Sequence, residues 1–164
     1  MTLWIMCGIP GSGKSYFAKH KLIQGLGWRY ISRDEIRFSM LKNEEEYFKH
    51  EKEVYTEFIR RIKIALDEDG ICNVIADATH LNWDSRKKLL KALGDSLKGI
   101  NIIPVYIDTP INVCIERNNK RNGRECVPEK NLKEMYASIT SPENDDFKYT
   151  AIMRVPYYSK ENLV

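Results

Sequence analysis

Gly8-Ile9-Pro10-Gly11-Ser12-Gly13-Lys14-Ser15 decides how the rest of this chain is read. It fits the phosphate-loop pattern of Gly, four residues, Gly-Lys and Ser or Thr. Glycines let the backbone curl so that successive N–H groups point inward around anionic oxygens, and Gly8, Pro10, Gly11, Ser12 and Gly13 are the expected lining. Lys14 is placed to bridge the outer phosphates of a nucleoside triphosphate such as ATP, and the Ser15 hydroxyl to ligate the magnesium ion that travels with it. The apolar run 3–7 suits a buried strand feeding the loop. Residues 16–24 read as a helix whose N-terminal partial positive charge adds to the site. A dinucleotide-binding loop would need a third glycine near Tyr16, and none is there.

The bulk properties set the frame. With 164 residues, 43% of them hydrophobic and 30% charged, the chain is expected to form one domain over 1–164 with a real core. A net charge of +3 is compatible with anionic ligands but does not by itself indicate nucleic acid. No apolar run approaches membrane-spanning length, and the chain opens straight into a strand without a signal peptide, so a cytoplasmic protein with no membrane contact is expected. Cys7, Cys72, Cys114 and Cys126 lack the paired spacing of a zinc site or redox dithiol and read as reduced thiols. His20, His50 and His80 are scattered and read as solvent-facing or structural.

Strand and helix signals alternate along the chain. Strands are expected at 3–7, 28–31, 71–76, 100–107 and 149–155. Helices are expected at 16–24, 34–41, about 44–68, 84–97, 110–119 and 128–139. The longest helix carries apolar residues spaced by three and four, from Tyr47 through Val54, Phe58 and Ile62 to Leu66, as a core-facing stripe requires. Five strands alternating with helices predict an α/β fold: a three-layer sandwich around a mainly parallel five-stranded sheet. In such sheets ligands sit beyond the carboxyl ends of the strands, so chemistry is sought just after each one.

Ser32-Arg33-Asp34-Glu35-Ile36-Arg37 follows the second strand. A kinase needs a carboxylate near the acceptor hydroxyl to take its proton, and Asp34 between Arg33 and Arg37 suits that role while the arginines hold an anionic substrate. The alternative is an exposed helix-start acid with a surface ion pair. Asp77 closes the third strand as the acid that binds magnesium directly or through water, beside the acceptor half of the site. Its neighbour is Ala78 instead of a second, water-activating carboxylate, which favours transfer to a bound acceptor over hydrolysis. Thr79 either lines the acceptor site or caps the turn. Arg117, Lys120, Arg121 and Arg124 lie in a polar stretch with Gly123 that suits a short lid over about 117–127. Arg121 is the first choice for the nucleotide phosphates and Arg117 the second, against the alternative of a solvated basic helix end. Two look-alikes drop out. Asn119-Lys120-Arg121-Asn122 lacks the Asp of a guanine-reading motif, and Asp67-Glu68-Asp69-Gly70 sits at a helix end and lacks the Thr of a phosphatase nucleophile loop.

Taken together, the phosphate loop, Ser32–Arg37, the run Asp77-Ala78-Thr79-His80-Leu81-Asn82, and Arg117-Asn118-Asn119-Lys120-Arg121 followed by Val127-Pro128 resemble the kinase domain of phage-type polynucleotide 5′-hydroxyl kinases. Zeta-toxin-like kinases are more distantly similar. The resemblance covers about residues 3–139 and implies a P-loop kinase-like fold. It implies that Lys14 and Ser15 bind ATP and magnesium, that Asp34 is the general base, and that Arg37 contacts a phosphate of the acceptor strand. It also implies that Thr79 lines the acceptor site and Arg121 clamps the nucleotide. The chain departs from the pattern at Glu35, at Ala78 and His80, and in a lid about one residue longer, which leaves Arg124 without a counterpart. The phosphatase domain that often follows such kinases is absent from these residues, so phosphatase activity is not expected. The resulting expectation is an ATP-dependent kinase acting on the 5′-hydroxyl of DNA or RNA. A kinase for a nucleotide sugar, nucleoside or antibiotic, or a nucleotide-binding switch with little catalysis, stands as the alternative, since no aromatic-rich nucleic-acid surface is evident in the sequence.

Overall fold

The computed structural model describes residues 1–42 and 46–157, with the side chain of residue 124 also outside the description. Five strands form one sheet: β1 (Thr2–Cys7), β2 (Trp28–Ser32), β3 (Asn73–Asp77), β4 (Asn101–Asp108) and β5 (Met153–Pro156). Their order is β2-β3-β1-β4-β5, and every neighbouring pair is parallel. The expected α/β sandwich is therefore present, with a sheet that is wholly parallel among the described residues.

β1 lies in the middle because it is apolar on both faces. Leu3, Ile5 and Cys7 point into one layer, where they pack with Val54, Phe58, Ile62, Leu89 and Leu93. Met6 points into the other and meets Ala18, Leu22, Ile75 and Val105. That period-two alternation is what a strand buried on both sides requires. The first layer is built by α2 (Arg33–Met40), α3 (Glu51–Leu66) and α4 (Trp83–Leu93); the second by α1 (Lys14–Phe17) and the π-helical turn Ala18–Leu22 that extends it. α5 (Ile111–Asn119) and α6 (Glu129–Ala137) bury a small cluster of Ile9, Cys114 and Leu132 against the loop that leaves β1.

Several boundaries differ from the sequence expectation, each for a local reason. The first helix starts at Lys14, inside the expected loop, because Gly13 adopts the left-handed conformation (φ 97°) and acts as its N-cap. The expected helix over 44–68 begins at Glu51: residues 43–45 lie outside the described residues, and the chain turns through 47–50. α4 opens one residue early, where Asn82 and Ser85 form a reciprocal capping box, and its last expected turn tightens to a 3-10 helix over Gly94–Leu97. Pro104 stands inside β4, yet costs no bond to β1. Ile102, two residues earlier and so facing the same way, exchanges bonds with Thr150, which turns Pro104 toward the β5 side, where pairing starts only at Val105.

One buried ion pair fastens the end of the chain to this core. Arg86 on α4 is fully buried and donates through Nε and Nη2 to the Asp145 carboxylate, each at 2.6 Å, and through Nη1 to the His80 carbonyl at 2.9 Å. Tyr149 donates its hydroxyl to the same carboxylate at 2.7 Å. Removing one member strands the other charge in the interior. Asp145→Ala should lower the unfolding free energy by about 3–5 kcal/mol, read as a shift of the urea midpoint.

Candidate active site

The loop from Gly8 to Ser15 leaves the carboxyl end of β1 and is held from three sides. Gly8 N–H donates to the Thr79 carbonyl after β3 at 2.9 Å. Thr109, just after β4, donates its hydroxyl to the Ser12 carbonyl at 2.8 Å. Arg117 near the end of α5 donates from Nη1 to the carbonyls of Gly11 and Ser12 at 3.3 and 3.4 Å. With those carbonyls engaged outside, the loop is free to offer N–H groups within, and the first amides of the Lys14 helix are unpaired by construction. Gly11 has no alternative: at φ 82° a Cβ would lie 2.4 Å from the Cys114 carbonyl oxygen. Half-buried Pro10 makes the turn between buried Ile9 and Gly11.

Lys14 is nearly buried and donates from Nζ to the Ile9 carbonyl at 3.0 Å. Burial pulls its pKa down, while the negative charges of Asp77 and Asp34 act in the opposite sense and Arg121 adds to the lowering. An ammonium so placed gains from a phosphate that returns the solvation it has lost. Ser15 Oγ donates to Asp77 Oδ2 at 2.6 Å, and Tyr30 donates its hydroxyl to the same oxygen. Burial, followed by the Asp77 charge, pushes the Tyr30 phenol well above its usual pKa, so it remains a donor.

The loop fits a nucleoside triphosphate on an observation internal to it. Ser12 Oγ is buried and has no hydrogen-bond partner among the described residues, an unmet need that a phosphate oxygen answers. For magnesium the donors are oxygen-bearing, as a hard cation demands: the Ser15 hydroxyl and the Asp77 carboxylate. Among the described residues no group of three His, Cys, Asp or Glu side chains forms a metal cage. The pair suits an ion that brings most of its ligands with it as water and phosphate.

The second half of the site opens at α2. Ser32 caps the helix by accepting from Glu35 N–H at 3.3 Å, which sets Asp34 in its first turn. The Asp34 side chain is 66% exposed and accepts bonds from Arg37 and from the Tyr47 hydroxyl. Arg37 is turned inward, only 5% exposed, with Nη2 on Glu51 at 2.9 Å and the Tyr47 ring at 4.5 Å from its guanidinium. It thus reaches Asp34 directly, whereas a phosphate of an acceptor strand would have to compete with Glu51. Arg33 also pairs with Glu51 and lies over the Tyr55 ring at 5.2 Å. Asp34, Arg33 and Arg37 therefore come together as the sequence suggests, on a scaffold of Tyr47 and Glu51 that it did not reveal. Glu51 sits at the true start of α3, inside what reads as one longer helix.

Thr79 is half-buried beside the loop that its carbonyl supports. His80 next to it is the one non-glycine described with a positive φ, 39°, and its buried Nδ1 meets the Met6 carbonyl at 2.9 Å. Burial pulls its pKa down to about 4, so the ring is neutral and structural.

In the stretch expected to form a lid, Arg117 is committed to the loop, whereas Arg121 is exposed and near enough to Lys14 for its charge to be felt. Asn118, quoted in the sequence only as part of the run 117–121 and given no role there, holds the segment closed. Fully buried, it donates Nδ2 to the Val127 carbonyl at 2.7 Å and accepts from Val127 N–H at 3.0 Å. Its one sequence signal is that it directly follows Arg117 at the helix end, where an amide reads as polar filler.

Comparison with known proteins agrees with this geometry. A family model described as an AAA domain matches residues 3–142. The chain superposes on a chain of the Pnkp1/Rnl/Hen1 RNA repair complex with a TM-score of 0.68 and 23% identity, covering 84% of this chain and 43% of that one. A fungal RNA kinase gives 0.65 at 12% identity, over 98% and 76% of the two chains. A sugar kinase from Janibacter sp. HTCC2649 gives 0.63 at 16% identity, over 95% and 85%. This chain thus spans less than half the length of the RNA repair chain it matches. At such identities the likeness is one of fold. The family match runs through the loop, the Asp34 helix and the segment after α5, so the chain belongs to the AAA domain family, and its fold is a P-loop kinase-like α/β fold.

Proposed function

We propose that this protein is an ATP-dependent phosphotransferase that moves the γ-phosphoryl group of ATP to a hydroxyl, with the 5′-hydroxyl end of DNA or RNA as acceptor. One observation carries the reading: an exposed carboxylate, Asp34, is held by Arg37 and Tyr47 within electrostatic reach of the phosphate-loop lysine. Donor and acceptor halves then face one another, as an in-line transfer needs.

In this reading the loop amides and Lys14 hold the β- and γ-phosphates of ATP, and Ser15 and Asp77 hold magnesium. The ion neutralises charge on the phosphate oxygens. Asp34 accepts the proton of the attacking hydroxyl. Both of its observed partners are hydrogen-bond donors to the same oxygen, Oδ1, so they fix the carboxylate and leave Oδ2 for that proton. Arg33 and Thr79 line the acceptor side, with Arg37 acting through Asp34. Arg121 meets the charge that spreads over the transferring group, and Arg117 braces the loop beneath it. Repair of nucleic acid ends is the biological setting that this acceptor suggests.

A small-molecule acceptor is the second reading. The observation favouring it is that the chain superposes on the sugar kinase nearly as well as on the RNA repair chain, with TM-scores of 0.63 and 0.68. The two readings separate when the protein is incubated with magnesium and γ-labelled ATP against 5′-hydroxyl oligonucleotides, nucleosides, sugars and nucleotide sugars. Label is expected on the oligonucleotides; label confined to small molecules would replace the polynucleotide reading.

Two variants test the roles assigned here. Asp34→Asn should lower kcat by a factor of about a thousand while leaving ATP affinity within about twofold, because it removes the proton acceptor and not the loop. Retained turnover would remove Asp34 from the role of base. Arg121→Ala should lower kcat by a similar factor of about a thousand, with a smaller change in ATP affinity measured by calorimetry.

A further inference from the structure

Beyond Asp34 the rim of the site continues over the starts of α3 and α4, and there two hydrogen-bond donors go unanswered. Arg33 Nε and the Tyr55 hydroxyl are each shielded from solvent with no partner among the described residues. They are neighbours: the Arg33 guanidinium lies 5.2 Å from the Tyr55 ring centre. The Lys88 ammonium lies 4.5 Å from the same ring centre, and Lys87 stands over Trp83 at 5.7 Å. Burial pushes the Tyr55 phenol above its usual pKa, so it too is present as a donor.

Arg33 is balanced by Glu51, but the two lysines beside it are not balanced in that way. Some lysines on this surface pair with carboxylates along their own helices, as Lys120 does with Glu116 and Lys133 with Glu129. Among the described residues Lys87 and Lys88 have aromatic rings for neighbours and no carboxylate partner. Both are exposed, on a helix whose first turn holds a single acid, Asp84. Unmet N–H and O–H donors beside an unpaired ammonium call for an anionic oxygen. Aromatic faces interleaved with cations are what a single nucleic-acid strand uses.

We propose that Arg33, Tyr55 and Lys88 form a subsite for a backbone phosphodiester of the acceptor, the first one behind the 5′-hydroxyl end, with Lys87 beside the next. The proposal rests on the polynucleotide reading above and adds to it where the strand runs: away from Asp34, over the starts of α3 and α4. Glu51 already satisfies the other face of Arg33, so the guanidinium is oriented before any strand arrives. Lys88, exposed and on a flexible stem, is the part that moves to admit the phosphate. Three residues distant in sequence make the subsite, so no contiguous basic-aromatic motif announces it.

The test separates binding from transfer. A fluorescent 5′-hydroxyl oligonucleotide of about ten nucleotides is titrated with the intact protein across a range of salt and followed by anisotropy. Lys88→Ala should weaken binding about fivefold and make the slope of log affinity against log salt shallower by about 0.7, the value for one lost single-strand phosphate contact. Tyr55→Phe, which removes only the hydroxyl, should weaken binding about threefold with that slope retained. In steady state the wild-type KM should fall at least tenfold from a nucleoside to a dinucleotide, and Lys88→Ala should collapse that difference. Thermal midpoints of both variants report whether the fold is intact. Equal KM for nucleoside and dinucleotide, or a Lys88→Ala protein with wild-type midpoint, affinity and salt slope, would overturn the subsite while leaving the kinase reading in place. Salt-dependent binding lost in Lys88→Ala, without phosphoryl transfer to any oligonucleotide, would support the subsite and remove the kinase assignment.

Discussion

The contact between Gly11 and the carbonyl of Cys114 is the constraint on which the rest of the site depends. The phosphate loop turns within touching distance of the α5 backbone, too close for any side chain at that position. Thr109 and Arg117 tie the same stretch of loop to the start and end of this helical arm. The cradle is therefore braced by the element that leads into segment 120–127. A shift of α5 is felt at the loop carbonyls, and a shift of the loop is felt where that segment begins. The parallel sheet matters here because it delivers the ends of β1, β3 and β4 to one side of the molecule, where Gly8, Thr79 and Thr109 can meet.

The proposed acceptor half is built on a different principle, the balance of charges. Glu51 bridges two arginines, and one of them in turn holds Asp34. Two carboxylates and two guanidiniums cancel, so the cluster can sit partly out of water without a net charge to solvate. Aromatic rings from 47, 48 and 55 cover its cationic members and keep the geometry stiff. The arrangement leaves Asp34 as the exposed member, which is why the exposed carboxylate and not a buried one carries the proposed chemistry.

The fold was largely legible because its signals are local. The eight residues of the loop, the apolar run before it and the alternation of strand and helix suffice to predict a parallel α/β sheet. The grouping of Lys14, Ser15, Asp77 and Asp34 follows from the rule that sites lie past the strand ends. What stayed hidden was whatever depends on pairing between distant side chains. Glu51 and Tyr47 read as one continuous helix because helical spacing does not reveal where a turn interrupts it. The buried roles of Asn118, Arg86 and Asp145 have no sequence signal of their own, since burial of a polar group is decided by a partner many positions away. The proposed acceptor rim was hidden for the same reason: Arg33 reads as a substrate-holding arginine, Tyr55 as part of a core-facing stripe and Lys88 as one of several helix lysines, and only the packing of three helices puts them side by side.

The Asn118 side chain joins the two ends of segment 118–127 through a pair of bonds to Val127. That makes the segment a closed loop whose ends are fixed whatever its middle is doing. Most of the entropy of bringing the ends together is spent when the protein folds, not when a ligand arrives. In the proposed role of a lid, ordering it over a nucleotide would cost only the freedom of the few residues between the clamped ends. The helices on either side, α5 and α6, need not separate for that middle to move.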